Sequence, residues 1–230
     1  MIKQSKAKIF LAEERAVVET NSFRTMDTFS QANSFTQNRL PFGPLYRLCD
    51  DTLAPGVSLE QVADDNSYLI LLPVTGALSV TGNDTTETIV GAGEIAVFGI
   101  NKNNTLKIGN PYEDGLINYL QIWLKKEDNE EAATVSAFDL NRNMNELITV
   151  YNNREKLFHI SMGKFSGRRE ALYNTKGEGY GTFAYVIEGV FEVNGRLLHA
   201  RDGLALWETN EADAEALSNN AILLIIELSL

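Results

Sequence analysis

From residue 45 onward the chain runs in short stretches of apolar and β-branched residues, closed by turn-forming residues every eight to twelve positions or so. This spacing predicts strands joined by turns, and so many in succession predict an all-β sandwich or barrel. The expected strands are 45–49, 57–62, 68–74, 77–80, 86–90, 95–98, 106–108 and 116–124, which make one barrel-sized set. A charged stretch at 125–131 breaks the pattern, and within 141–152 the residues Met144, Leu147, Ile148 and Tyr151 recur at helical spacing. That segment is expected to be a linker carrying a short helix. Strand patterns resume at 157–162, 170–173, 182–187, 190–193, 196–198, 204–207, 214–217 and 221–228, a second set of similar size. The predicted organisation is an N-terminal barrel over 1–126, a linker over 127–153 and a C-terminal barrel over 154–230.

The two sets repeat one unit. The segment from Leu72 to Gly82 matches that from Tyr185 to Gly195 in its apolar positions, and Gly76 and Gly82 fall in step with Gly189 and Gly195. A hairpin follows in each half, closing in the second on Asn194-Gly195, a pair suited to a type I′ turn because both residues tolerate positive φ. Gly93 and Gly203 then open the next strand of each half.

Composition narrows the function classes. Of 230 residues 44% are hydrophobic and 22% charged, ordinary values for packed domains. Lys and Arg number 20 against 31 Asp and Glu, and a net charge of -11 disfavours direct contact with nucleic acid or anionic membranes. No apolar run approaches the ~20 residues of a membrane helix. The apolar residues after the basic start are broken at once by Glu13, Glu14 and Arg15, so no signal peptide is expected and a cytoplasmic location is. The single cysteine, Cys49, lies in a strand pattern and reads as a half-buried structural thiol.

A glycine ending one strand, a hairpin, and a second glycine before the next strand resemble the cupin barrel, and two copies resemble a bicupin. The chain is most similar to the pirin family, in its bacterial branch resembling quercetin 2,3-dioxygenase. The resemblance is carried by Ala7-Lys8-Ile9-Phe10-Leu11-Ala12-Glu13-Glu14-Arg15, by Phe23-Arg24-Thr25-Met26-Asp27-Thr28-Phe29-Ser30, by Leu53-Ala54-Pro55-Gly56, and by Leu120-Gln121-Ile122-Trp123-Leu124. It implies two jelly-roll β-barrels in tandem. It also implies iron or another divalent transition metal in the N-terminal barrel, held by two histidines of one motif and a histidine and a glutamate of a second.

The sequence departs from that implied set at every ligand. Counting back from Gly76, the first pair falls on or beside Val62 and Asp64; counting on from Gly93, the second falls near Leu106 and Ile108. The chain holds only two histidines, His159 and His199, both in the C-terminal half. Glu60, Asp64 and Asp65 offer oxygen atoms near the mouth but read as a solvated loop. In the second barrel the equivalent first-motif positions fall around Thr175, Gly177 and Gly181, and a metal there would need His159 and His199 to meet with a carboxylate.

Other chemistry is weakly signalled. Gly177-Glu178-Gly179-Tyr180-Gly181 is followed by a strand pattern and so reads as a turn rather than a phosphate loop, and Arg168-Arg169 reads as a surface ion-pair site. With apolar residues in place of ligands, the barrel interior either fills as core or stays open as an apolar pocket, with Tyr68, Phe98 and Tyr119 as candidate lining residues. The expected function is a metal-free module that binds a small molecule or a protein partner, without a cofactor. The alternative is an oxidoreductase resembling quercetin 2,3-dioxygenase that works through an unconventional metal site.

Overall fold

A computed structural model describes residues 5–30, 37–82, 86–127, 133–152 and 158–230. Leu157 and residues 128–131 of the expected charged stretch lie outside the described residues. No helix among the described residues is long and apolar enough to cross a membrane. Strand β1 (Lys6–Phe10) is followed by ten strands of a first barrel: β2 (Ala16–Glu19), β3 (Phe23–Asp27), β4 (Leu45–Leu53), β5 (Ser58–Val62), β6 (Ser67–Thr75), β7 (Ala77–Thr81), β8 (Glu87–Gly91), β9 (Glu94–Ile100), β10 (Thr105–Gly109) and β11 (Ile117–Lys125). After β12 (Ala133–Ala137) come β13 (Ile148–Asn152), β14 (Phe158–Phe165), β15 (Glu170–Asn174), β16 (Tyr180–Glu188), β17 (Phe191–Val193), β18 (Arg196–Leu198), β19 (Gly203–Trp207), β20 (Glu211–Ala216) and β21 (Ala221–Ser229).

The chain divides into two compact units, Arg15–Phe138 and the combination of Met1–Glu14 with Asp139–Leu230. Each has one large and one small antiparallel sheet. In the first, β12-β9-β6-β11-β4-β3-β2 faces β5-β10-β7-β8 around a core that includes Leu69, Leu71, Leu78, Val80, Ile108 and Trp123. In the second, β1-β19-β16-β21-β14-β13 faces β15-β20-β17-β18 around a core that includes Phe165, Ala184, Phe191, Leu206, Leu223 and Ile225. The central strands β6, β11, β16 and β21 are almost wholly buried, which is why they read as continuous apolar runs; β5 and β15 face solvent on one side and alternate.

The repeat glycines have a steric cause. Gly76 and Gly189 end β6 and β16 at φ of 82° and 80°, where L side chains are strained. A Cβ at Gly76 would lie 2.7 Å from Ile117 Cγ2, and one at Gly189 would collide with Ser218 Oγ. Asn194 and Gly195 both take positive φ between β17 and β18, as their pairing predicts.

Two features differ from expectation. The described residues hold no α-helix, and the segment expected to be helical becomes turns followed by β13, which pairs with β14. Asp139 Oδ1 accepts the backbone N–H groups of Asn141 and Arg142, and Asn145 takes a φ of 66°, so the Asn-rich stretch turns instead of winding. The β-branched Ile148-Thr149-Val150 then finds a sheet edge, and tertiary pairing overrides the helical spacing. Unit boundaries also shift. Residues 1–14 belong with the C-terminal unit because β1 pairs with β19, and β12 pairs with β9 and so carries the N-terminal unit to residue 138 rather than 126.

Candidate functional site

The wall where the implied metal ligands fall is formed by β5 and β10, which pair Gln61 with Leu106 and Leu59 with Ile108. Leu106 and Ile108 are packed into the barrel core together with Ala63. Val62 is 53% exposed and Asp64 is exposed, so strand alternation turns Leu59, Gln61 and Ala63 inward instead. The only side-chain oxygen those inward positions offer is the amide of Gln61. Two alkyl chains, a methyl and one amide do not fit iron or a related metal, which needs imidazole or carboxylate donors. Glu60, Asp64 and Asp65 do not converge: Glu60 is exposed opposite Lys107, and Asp65 lies 3.7 Å from Lys125 Nζ. Among the described residues no three His, Cys, Asp or Glu side chains gather as a metal site.

The opposite wall of the same barrel carries a buried polar network. The pairing of β3, β4 and β11 sets Thr25 beside Asp51 and Asp51 beside Tyr119, and sets Asp27 beside Cys49 and Cys49 beside Gln121. Gln121 Nε2 donates to Asp51 Oδ2, and Trp123 Nε1 donates to Gln121 Oε1 at 3.3 Å. Arg47 Nε donates to Cys49 Sγ at 3.2 Å and lies 3.5 Å from Asp27 Oδ2. Burial pushes the Asp51 carboxyl up to about 6, against the pull of Thr25 and Gln121. It also raises the hydroxyl of Tyr119 and the thiol of Cys49, which is fully buried rather than half-buried. The sequence signal for this network is a period-two set, Arg47, Cys49 and Asp51, inside an otherwise apolar strand.

Of the candidate pocket residues, Phe98 and Tyr119 share the core of the N-terminal barrel. Tyr68 does not join them. Leu69 pairs with Phe98 and points inward, so Tyr68 faces the other way, where Lys126 Nζ sits 5.8 Å from its ring centroid.

The C-terminal barrel places its polar groups elsewhere. Glu227 on β21 stands between His159 on β14 and Thr182 on β16, directly opposite both. The carboxylate is 2% exposed, and its Oε1 accepts the Lys176 backbone N–H at 2.6 Å. Tyr173 hydrogen-bonds with both Glu227 and Ser161, and burial together with the Glu227 charge raises its pKa. His159 is shifted down by burial and by Lys176, partly offset by Glu227. Thr182 Oγ1 and His159 Nε2 are buried with no hydrogen-bond partner. Lys176 Nζ lies 5.2 Å from the ring centroid of Tyr180, which shares a strand face with Thr182.

His199 does not reach this group. It is 67% exposed, with Nδ1 3.9 Å from Asp202 Oδ2. Thr175 donates to the Thr209 carbonyl at 2.9 Å, and Gly177 and Gly179 form a positive-φ turn into β16. Arg168 pairs with Glu215 at 3.1 Å on the surface. The reading from sequence missed Glu227, Thr182 and Tyr173. The signal for the first was a single carboxylate interrupting the apolar run of the last strand.

Two units, each a large and a small antiparallel sheet wrapped around its own core, define a bicupin. Residues 156–228 match the family model described as the quercetinase C-terminal cupin domain. Across nearly the whole chain the structure is similar to that of YhhW from Escherichia coli, a bacterial pirin solved in complex with nickel(II), with 17% identity, 97% and 99% of the two chains covered and a TM-score of 0.84. It is also similar to YhaK from Escherichia coli, with 13% identity, 95% of each chain covered and a TM-score of 0.73. A quercetin 2,3-dioxygenase from Acinetobacter baumannii shares 11% identity, with 97% of this chain and 79% of that chain covered and a TM-score of 0.72. No curated protein matches the chain in sequence. The fold is therefore that of the pirins and their quercetinase relatives.

Proposed function

We propose that this protein is a pirin-type bicupin that works as a small-molecule-binding or regulatory module, without the dioxygenase activity named for one of its structural neighbours. The observation that carries this reading is the donor set of the β5–β10 wall. Where the resemblance implies three imidazoles and a carboxylate, the inward positions hold Gln61, Ala63, Leu106 and Ile108. Activating dioxygen or polarising a phenolate at that wall requires a metal with open coordination positions, and these side chains supply no adequate ligands. The net charge of -11 favours a small ligand or a protein over a polyanion.

The test is metal content by mass spectrometry on untagged protein, followed by oxygen uptake with quercetin after incubation with iron, manganese, copper, nickel or cobalt. Metal far below one equivalent and no turnover are expected. Near-stoichiometric metal, or turnover with any of the five, would overturn the reading and favour a quercetinase-like oxidoreductase with an unconventional site.

A further inference from the structure

We propose that the mouth of the C-terminal barrel is a binding site for a small uncharged ligand with adjacent hydroxyl groups, held by Glu227, Thr182 and His159. The proposal rests on the reading of the protein as a binding module, but it uses neither the N-terminal wall nor a metal.

Glu227 is a buried carboxylate in an otherwise apolar strand, and burial of such a charge is costly unless hydrogen bonds surround it. The Lys176 N–H and the Tyr173 hydroxyl meet part of its capacity. On either side of it, directly across the sheet, stand the unpartnered Thr182 Oγ1 and His159 Nε2. Thr182 is 0% exposed, so its hydroxyl has given up water without gaining a partner. Side chains directly opposite on neighbouring strands lie about 5 Å apart, so the three groups form one patch about 10 Å across. Buried polar atoms that lack partners in a folded protein call for a missing one. A hydroxyl group both donates and accepts: one donates to the Glu227 carboxylate, and its neighbour exchanges hydrogen bonds with Thr182 and His159.

The site also has an entrance and a charge preference. His159 and Tyr173 are half-buried, and Lys176, Glu178 and Gly179 beside them are exposed. The Lys176 ammonium acts on His159 and opposes added positive charge, while Glu227 opposes an anion. A neutral ligand meets neither objection. Tyr173 and Tyr180 offer ring surface to a flat phenol or to the C–H face of a sugar-like ring.

The chain has only two histidines, which gives the test an internal control. Histidine ring signals are followed by NMR in the full-length protein while catechol, a planar vicinal diol, and myo-inositol, a saturated one, are titrated in turn. Saturable movement of the His159 signals with His199 unmoved is expected for at least one probe. Catechol alone would mark a phenol site, and myo-inositol alone a sugar-like one. Thr182→Val keeps the shape of the side chain and should weaken binding at least tenfold, as should Glu227→Gln, while Val62→Thr on the other barrel should leave it unchanged. No His159 movement with either probe, equal movement of both histidines, or undiminished binding by Thr182→Val would overturn the site. Low metal content with no probe binding removes this site alone. Stoichiometric metal with probe binding lost in Thr182→Val removes the wider reading alone.

Discussion

Seven residues before each of the paired glycines, the two barrels set three side chains in a row across their large sheets. The N-terminal row is Arg47, Trp123 and Leu69; the C-terminal row is His159, Glu227 and Thr182. One backbone plan therefore carries an indole in the middle of one row and a carboxylate in the middle of the other. In the N-terminal barrel Arg47 stands in the row and binds Cys49, the next inward residue of its strand, while Asp51 beyond it is tied through Gln121 to the Trp123 indole. In the C-terminal barrel the carboxylate Glu227 holds the centre of the row, flanked by His159 and Thr182. Buried polar atoms without a hydrogen-bond partner occur in both barrels, Thr25 Oγ1 and Asp51 Oδ1 in the first and Thr182 Oγ1 and His159 Nε2 in the second, but only the second pair lies beside half-buried His159 and Tyr173 and exposed Lys176, where a ligand can reach.

The contrast can be broken at three points, the first with the largest effect. Trp123→Ala removes a fully packed side chain from the centre of the N-terminal core and should cost about 3–5 kcal/mol in urea unfolding. A loss below about 1 kcal/mol would show that the indole is not the seal over the network.

The second point is Asp51. Its carboxyl titrates at about 6 in the folded protein against an ordinary 3.8, so between those values the folded state holds a proton that the unfolded chain has lost. Stability should therefore fall as pH rises through that window and remain lower by about 3 kcal/mol above it. Asp51→Asn abolishes this slope, and its stability relative to the native chain should improve steadily from pH 4 to pH 7, on the order of 3 kcal/mol in all. A difference that does not change with pH would mean that Asp51 ionises as an ordinary surface carboxylate does.

The third and smallest effect compares the repeat glycines. Gly76→Ala and Gly189→Ala should each cost about 1–3 kcal/mol, since both positions combine positive φ with a close neighbour. Gly189→Ala should cost more. Its Cβ would meet the Ala221 backbone at 3.0 Å, whereas at Gly76 only side-chain atoms, of Ile117 and Tyr112, come so near. Equal losses in thermal unfolding would show that strain in φ outweighs contact.

Much of the fold was legible because period-two and continuous apolar runs report directly on which strands have one face buried and which have both. The paired glycines were legible for the steric reason that only glycine meets both demands at the end of β6 and β16. The helix expected near 148 failed because four apolar residues at suitable spacing cannot reveal that a sheet edge lies within reach of Ile148 and Thr149. Tyr68 was grouped with Phe98 and Tyr119 on composition alone, although strand alternation next to Leu69 sets it on the other face. The Glu227 group was harder still, since its members come from four strands and no local pattern joins them. What the sequence showed there was a carboxylate out of place, not the company it keeps.

The pairing of β1 with β19 has a consequence for how the protein is made. The Ala12 N–H donates to Asp202 Oδ1, 190 positions further along the chain, so β1 must wait for β19 to be synthesised before their sheet can close. The N-terminal barrel is contiguous and has all its strands as soon as residue 138 has emerged. The C-terminal barrel is not contiguous, and contacts that span so much chain are slow to form. Synthesis thus imposes an order on the two halves, and a fragment beginning at residue 139 would lack the strand that covers the edge of β19. An uncovered edge of that kind is a template for pairing with other chains, so β1 protects the second barrel from aggregation.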